Sequence, residues 1–100
     1  MEPQVQHDES ARKYFLLEDS DEAQLLYVPA GEGVVEFTHT YVPPEMRGKG
    51  LGERLVRFAL EDVRRRGERF IPTCPFVAKY VESHPEWRDG MAERTGPGAR

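Results

Sequence analysis

The chain has 100 residues, a formal net charge of −4 and 38% hydrophobic residues, which suits one domain with one modest core. The acidic balance argues against a protein that holds nucleic acid by bulk electrostatics, and no apolar run approaches the ~18 residues of a membrane span. The first residues lack a secretory signal and the single cysteine, Cys74, cannot form an internal disulfide, so we expect a cytoplasmic location.

The first half of the chain is typical of strands. Residues 12–18 and 23–28 are short apolar runs on either side of turn-forming aspartates and a serine, which predicts a β-hairpin. Residues 34–42, VVEFTHTYV, are almost all β-branched, aromatic or histidine and predict a central strand. Regular alternation along this strand would place His39 on the same face as Phe37, with Thr40 on the opposite face.

The second half is typical of helices around one more strand. Residues 51–66 repeat apolar side chains at every third or fourth position, which predicts an amphipathic helix that ends before Gly67. Residues 69–74 predict a strand, and Pro75 predicts that Cys74 is the N-cap of a short second helix. The order β-β-β-α-β-α predicts an α/β (α+β) domain with a core over residues 5–88 and a disordered tail over 89–100.

Three glycines at alternate positions separate the central strand from the first helix. Gly48, Gly50 and Gly52 let backbone N–H groups approach an anion at the positive end of the helix. The spacing is not that of a Walker A loop, and Glu53 stands where the dinucleotide fingerprint requires glycine. A purely structural turn is the alternative, but glycine inside a helix costs about 1 kcal/mol relative to alanine. The pattern therefore favours a phosphate-binding loop.

This loop and its surroundings resemble one family. The pattern Arg47-x-x-Gly50-x-Gly52 resembles the acetyl-CoA pyrophosphate loop of the GCN5-related N-acetyltransferases. Residues 38–44 (THTYVPP), 71–77 (IPTCPFV) and 84–87 (HPEW) are similar, in order, to the minimal branch of that superfamily. The resemblance implies a truncated sandwich: a mixed, mostly antiparallel sheet of four to five strands with one helix on each face.

The same resemblance implies that acetyl-CoA, or coenzyme A, is the cofactor. Its pantetheine arm would lie in a gap between the central and last strands, and its pyrophosphate would lie on the N–H groups of the glycine loop. The residues that match the family's cofactor site are Thr40, Tyr41, Val42, Arg47, Gly48, Lys49, Gly50, Leu51 and Gly52. The chain lacks the helices that build the acceptor wall in full-length members, so the acceptor stays undefined.

Transfer of an acetyl group from a thioester to an amine needs a base, a stabilised oxyanion and a proton for the leaving thiolate. Cys74 at a helix N-terminus favours the thiolate and could carry the acetyl group, or it could be a small buried residue. His39 could act as the base or orient Cys74, and Tyr80 could protonate the CoA sulfur. For His39 and Tyr80, packing in the core is the alternative.

The sequence therefore predicts an acetyl-CoA-dependent N-acetyltransferase that acts on an amine of a protein or small molecule. The alternative is a module that binds CoA or acyl-CoA with little or no turnover. The two functions share the whole cofactor site, so the glycine loop cannot distinguish them. We expect no metal, nucleic-acid or membrane partner, and the sequence leaves the oligomeric state open.

Overall fold

A single mixed sheet organises the protein in the computed structural model, which describes residues 4–92. Its five strands lie side by side in chain order, with antiparallel pairing up to the fourth strand and parallel pairing between the last two. The elements are β1 (Gln6–Asp8), β2 (Lys13–Glu18), β3 (Asp21–Pro29), β4 (Val34–Tyr41), α1 (Leu51–Arg65), β5 (Arg69–Pro72) and α2 (Pro75–Ser83). Short 3-10 helices span Pro44–Met46 and Pro85–Gly90. The predicted fold class and element order are confirmed, with β1 as an added edge strand.

The hydrophobic core lies between one face of the sheet and α1. The sheet contributes buried side chains at alternate positions of β2 and β3, together with Phe37 from β4 and Phe70 from β5. Leu55, Ala59 and Val63 repeat at four-residue spacing along α1 and are buried against that face. The period of two in the strands and the helical period in α1 therefore meet in one core.

Both helices lie on the same face of the sheet, so the expectation of one helix on each face was wrong. At the start of the helices, the Phe76 ring of α2 contacts Gly52 of α1. Beyond the end of α2, the Trp87 ring lies 4.3 Å from the guanidinium carbon of Arg64 in α1. Two successive right-handed crossovers that advance in one direction place their helices on one side of a sheet.

Within residues 4–92, the face of the sheet opposite the helices is uncovered. Leu17 is 47% exposed and Val28 is 38% exposed, and both point away from α1. The second crossover ends at Met91, which forms a parallel bridge with Phe70 on the outer edge of β5. Regular structure therefore continues beyond Asp89, so the expected tail boundary at that residue was wrong; residues 93–100 lie outside the described residues.

A β-bulge interrupts the alternation of side chains along β4. Leu26 pairs with His39 and Tyr27 pairs with Phe37, which leaves Thr38 as the extra residue on β4. Beyond this bulge, His39 lies on the open face and Thr40 faces the helices opposite Leu25. The prediction that His39 shares a face with Phe37 was wrong because it assumed an uninterrupted period of two.

A polar network ties β1 to the rest of the fold. The buried Asp62 of α1 accepts a hydrogen bond of 2.8 Å from the Tyr14 hydroxyl, and its Oδ2 lies 3.0 Å from Nε of Arg66. The His7 ring stacks on Tyr14 with centroids 4.1 Å apart, and its Nε2 lies 2.5 Å from the Tyr27 hydroxyl. The network joins β1, β2, β3 and the end of α1, and this explains why a three-residue strand docks.

This network predicts that stability falls in mild acid. Burial lowers the pKa of His7 below its ordinary value, and the positive charge of Arg66 acts in the same direction. His7 is therefore neutral when folded and binds a proton on unfolding below pH ~6.5, so its contribution is present above that pH and is lost as the pH falls. The free energy of unfolding in urea should drop more steeply from pH 7.5 to 5.5 for the wild type than for His7→Gln. Parallel pH dependences of the two proteins would contradict this role of His7.

Candidate functional site

The parting of two parallel strands creates the site. The parallel pairing of β4 with β5 ends at Phe37 and Pro72, and a last hydrogen bond of 2.8 Å runs from Cys74 N to Phe37 O. From there β4 continues to Tyr41 along β3, whereas the chain after β5 turns into α2. The β5-facing edge of β4 is therefore free over its last residues. An extended ligand with amide groups can pair with such an edge as an added strand does.

A cavity of about 440 Å³ lies at this free edge, between the end of β4 and the start of α1. Eight of the nine predicted cofactor residues line it; the exception, Lys49, forms an ion pair of 2.8 Å with Glu18. The lining residues are Thr40, Tyr41, Val42, Met46, Arg47, Gly48, Gly50, Leu51, Gly52, Glu53 and Phe76. The structure thus gathers most of the predicted cofactor site around one cavity.

The glycine loop supplies backbone donors to this cavity. Gly48 and Gly50 have φ of 81° and 73°, a left-handed conformation that favours glycine, and Gly50 is the N-cap of α1. The first helical hydrogen bond runs from Arg54 N to Gly50 O, so the preceding N–H groups are free to meet an anion. Nε of Arg47 donates a hydrogen bond of 2.8 Å to Val42 O, which fastens the loop to the chain that follows β4.

Cys74 lies next to this cavity. It is the N-cap of α2, as predicted, but it makes no capping hydrogen bond with its side chain. Its buried Sγ lies 3.2 Å from Oγ1 of Thr40, which lines the cavity. The expectation that His39 orients Cys74 was wrong, because the bulge at Thr38 turns His39 to the open face and brings Thr40 to the thiol.

Tyr80 belongs to the core of α2. Its ring stacks on His84 with centroids 4.0 Å apart, and burial raises the pKa of its hydroxyl, which keeps its proton. The charges that act most strongly on this hydroxyl are those of Arg57, Glu86 and Glu53. Among the residues described, Cys74, His39 and Tyr80 are all outside the cavity lining, and only the Cys74 side chain hydrogen-bonds to a residue within it.

Sequence reasoning missed three residues of the cavity lining, namely Met46, Glu53 and Phe76. Phe76 precedes the fully buried Val77 in α2, yet it is itself 40% exposed and lines the cavity. Met46, in the 3-10 helix after β4, is buried beneath the loop. The position of Phe76 directly after the helix-initiating Pro75 was the available signal, since side chains of a first turn lie towards the helix N-terminus.

The family is decided by a comparison over most of the chain. Residues 13–90 match the model of the GCN5-related N-acetyl-transferase family. The chain belongs to this family of acetyltransferases. The match covers every strand and helix from β2 to the second 3-10 helix, and it confirms the resemblance stated above.

Family relatives have similar lengths. Protein NATD1 of Gallus gallus is 34% identical over 84 residues, which cover 82% of this chain and 76% of the relative. Protein NATD1 of Homo sapiens is 34% identical over 83 residues, which cover 81% of this chain and 74% of the relative. The solution structure of a GCN5-like protein from Staphylococcus aureus superimposes with a TM-score of 0.70 at 22% identity, covering 89% and 87% of the two chains. This last comparison confirms the acetyltransferase fold.

Within residues 4–92, helices long and apolar enough to cross a bilayer do not occur. The same residues contain no group of three or more histidine, cysteine, aspartate or glutamate side chains that could hold a metal ion.

The loop geometry predicts how substitution at Gly50 affects stability. In the described structure no heavy atom lies within 4 Å of a Cβ built on Gly50, so the loss arises from the backbone conformation alone. Gly50→Val should lower the free energy of unfolding by about 1–2 kcal/mol, and Gly50→Asn by less, because asparagine tolerates left-handed φ. Urea unfolding measures both values. Equal stability of Gly50→Val and wild type would contradict the left-handed N-cap.

Proposed function

We propose that this protein is an acetyl-CoA-dependent N-acetyltransferase that moves an acetyl group to an amine of a protein or small molecule. The observation that carries the proposal is one cavity bounded by both the free edge of β4 and the amino end of α1. Membership of the acetyltransferase family supports the reaction class. The donor, the acceptor and turnover are our inference.

The residues around the cavity fit the chemistry of CoA. Its pyrophosphate would be held by backbone donors from Gly48 to Gly52, at the positive end of α1. The pantetheine amides would pair with the backbone of Thr40 and Tyr41 on the free edge of β4. When bound, acetyl-CoA supplies a thioester carbonyl that a neutral amine can attack.

The side chains near the cavity suggest separate roles on the two faces of the sheet. On the helix side, the Thr40 hydroxyl is within hydrogen-bond distance of the Cys74 thiol and can donate to its thiolate. On the open face, His39 is exposed beside Tyr41, so its imidazole could accept a proton from an amine that approaches there. We therefore propose that the acceptor amine approaches across the open face.

A CoA-binding module with little turnover is the second candidate. The observation that favours it is the absence of Cys74, His39 and Tyr80 from the cavity lining within residues 4–92. The two candidates predict the same CoA affinity and differ in turnover. The intact mass of the protein after incubation with acetyl-CoA and an amine library would detect transfer or an acetylated thiol.

A cytoplasmic location is also part of the proposal. The lone cysteine supports it, because it cannot form an internal disulfide. The net charge of −4 supports the separate proposal that nucleic acid is not a partner. Cell fractionation followed by immunodetection of the protein tests the location.

Isothermal titration calorimetry tests the cofactor site. Wild-type protein should bind CoA, and Gly50→Val should weaken binding more than tenfold because the strained loop no longer presents its N–H groups. Gly33→Val is the matched control, since Gly33 also has a φ of 73° and open space around its Cβ but lies outside the cavity lining. Arg47→Ala should weaken CoA binding less than Gly50→Val does, because salt screens an exposed charge.

Two results would overturn the proposed cofactor. One is wild-type protein that does not bind CoA at millimolar concentration. The other is a folded Gly50→Val protein with the same CoA affinity as Gly33→Val, because both variants carry the same backbone strain and differ in their position relative to the cavity.

Substitutions at Cys74 distinguish the enzyme from the binding module. Cys74→Ala should leave CoA affinity nearly unchanged and lower turnover at least about tenfold, equivalent to ~1.4 kcal/mol of barrier. Cys74→Ser should lower turnover as much as Cys74→Ala does, because the serine hydroxyl hardly ionises. Thr40→Val keeps the side-chain shape but removes the hydrogen bond to the thiol, so it should slow alkylation of Cys74 by iodoacetamide. If Cys74→Ser kept full activity, the thiol would have only a structural role. The amine would then attack the thioester directly, with His39 or water accepting its proton.

A further inference from the structure

One aromatic side chain of the cavity wall has no role in the loop or in the pairing of β4. Phe76 is the second residue of α2 and remains 40% exposed, although Val77, Tyr80 and Val81 of the same helix are buried. The core therefore does not account for the placement of this ring. Its ring instead closes the cavity on the side of α2.

The ring lies directly on Gly52. A Cβ built on Gly52 would be 2.9 Å from Cζ and 3.2 Å from Cε2 of Phe76, and 3.5 Å from Cγ2 of Val42. The first distance is shorter than a normal carbon–carbon contact, so a side chain at position 52 would push the ring away. Gly52 has helical φ, in contrast to Gly48 and Gly50, so backbone conformation does not require glycine here. The requirement for glycine at this position comes from Phe76.

The lining of the cavity therefore combines two kinds of chemistry. Backbone donors of the glycine loop lie at the start of α1, whereas Val42, Met46 and the Phe76 ring form an apolar wall. An aromatic ring binds carbon chains by apolar contact and gives little to a phosphate. The wall thus suits the aliphatic part of a ligand whose anionic part lies on the loop.

We propose that Phe76 binds and positions the pantetheine arm of CoA, and that Gly52 is glycine so that the ring can lie at this place. The inference rests on the proposed function. According to this inference, Phe76 is the side chain that makes the protein bind whole CoA more tightly than its nucleotide part. If the ring served only packing, its replacement would change the affinities for both ligands equally.

Calorimetry with two ligands tests this assignment. The probes are CoA and adenosine 3′,5′-bisphosphate, which lacks the pantetheine arm and one phosphate of the pyrophosphate, so each variant is compared with wild type for each ligand separately. Phe76→Ala should weaken CoA binding about tenfold and bisphosphate binding less than twofold, and Phe76→Leu should recover part of the CoA affinity. Leu17→Ala, on the open face, removes a side chain of comparable exposure and should change neither affinity. Thermal unfolding confirms that each variant is folded.

A double-mutant cycle tests the pairing of Phe76 with Gly52. Gly52→Ala should weaken CoA binding in the wild-type background, because the new methyl group displaces the ring. In the Phe76→Ala background the same change should have less than a twofold effect, because the methyl then meets Val42 at an ordinary distance. Independent, additive losses would mean that Gly52 serves the phosphate directly and would overturn the pairing.

The outcomes separate this inference from the proposed function. If wild-type protein binds CoA and Gly50→Val weakens that binding, the cofactor site stands. Equal losses for both ligands in Phe76→Ala, or no loss for CoA, would then overturn the role of Phe76 alone. If wild-type protein binds the bisphosphate but binds CoA no more tightly, the pantetheine wall is also excluded.

Discussion

The point where β5 leaves β4 determines most of what this protein can do. Pro72, the last paired residue of β5, has no N–H to continue the parallel ladder. Pro75 starts α2 only three residues later, so the two strands part after Phe37. The free edge of β4, the cavity and the position of Cys74 all depend on this parting. The glycine loop lies at the same end because it directly follows β4.

A single extra residue decides which side chains meet at that point. The bulge at Thr38 exchanges the two faces of β4, so Thr40 approaches Cys74 and His39 faces outward. Without it, the imidazole would lie on the helix side and the hydroxyl on the open face. A bulge next to a functional edge commonly re-aims side chains in this way. Here it separates the thiol–hydroxyl pair of Cys74 and Thr40 from the exposed imidazole of His39.

The placement of both helices on one face leaves the other face of the sheet uncovered within the described residues. The covered face holds the core and the loop that starts α1, while the open face carries His39 and exposed apolar side chains such as Leu17. The proposed cofactor and the proposed acceptor would therefore approach the sheet from opposite faces. They would meet where β4 and β5 part, because the amine must reach the thioester carbon.

Local chemistry was enough to predict β2 to β5, the two α-helices and the N-cap at Cys74, because strand propensity and helix starts depend on neighbouring residues. The family resemblance predicted nine cofactor residues, and eight of them line one cavity. Only the tertiary structure decided the Thr38 bulge, the shared face of the helices, the Lys49 ion pair with Glu18 and the Phe76 ring on Gly52. Each of these depends on residues far apart in sequence, whose register and packing no local pattern specifies.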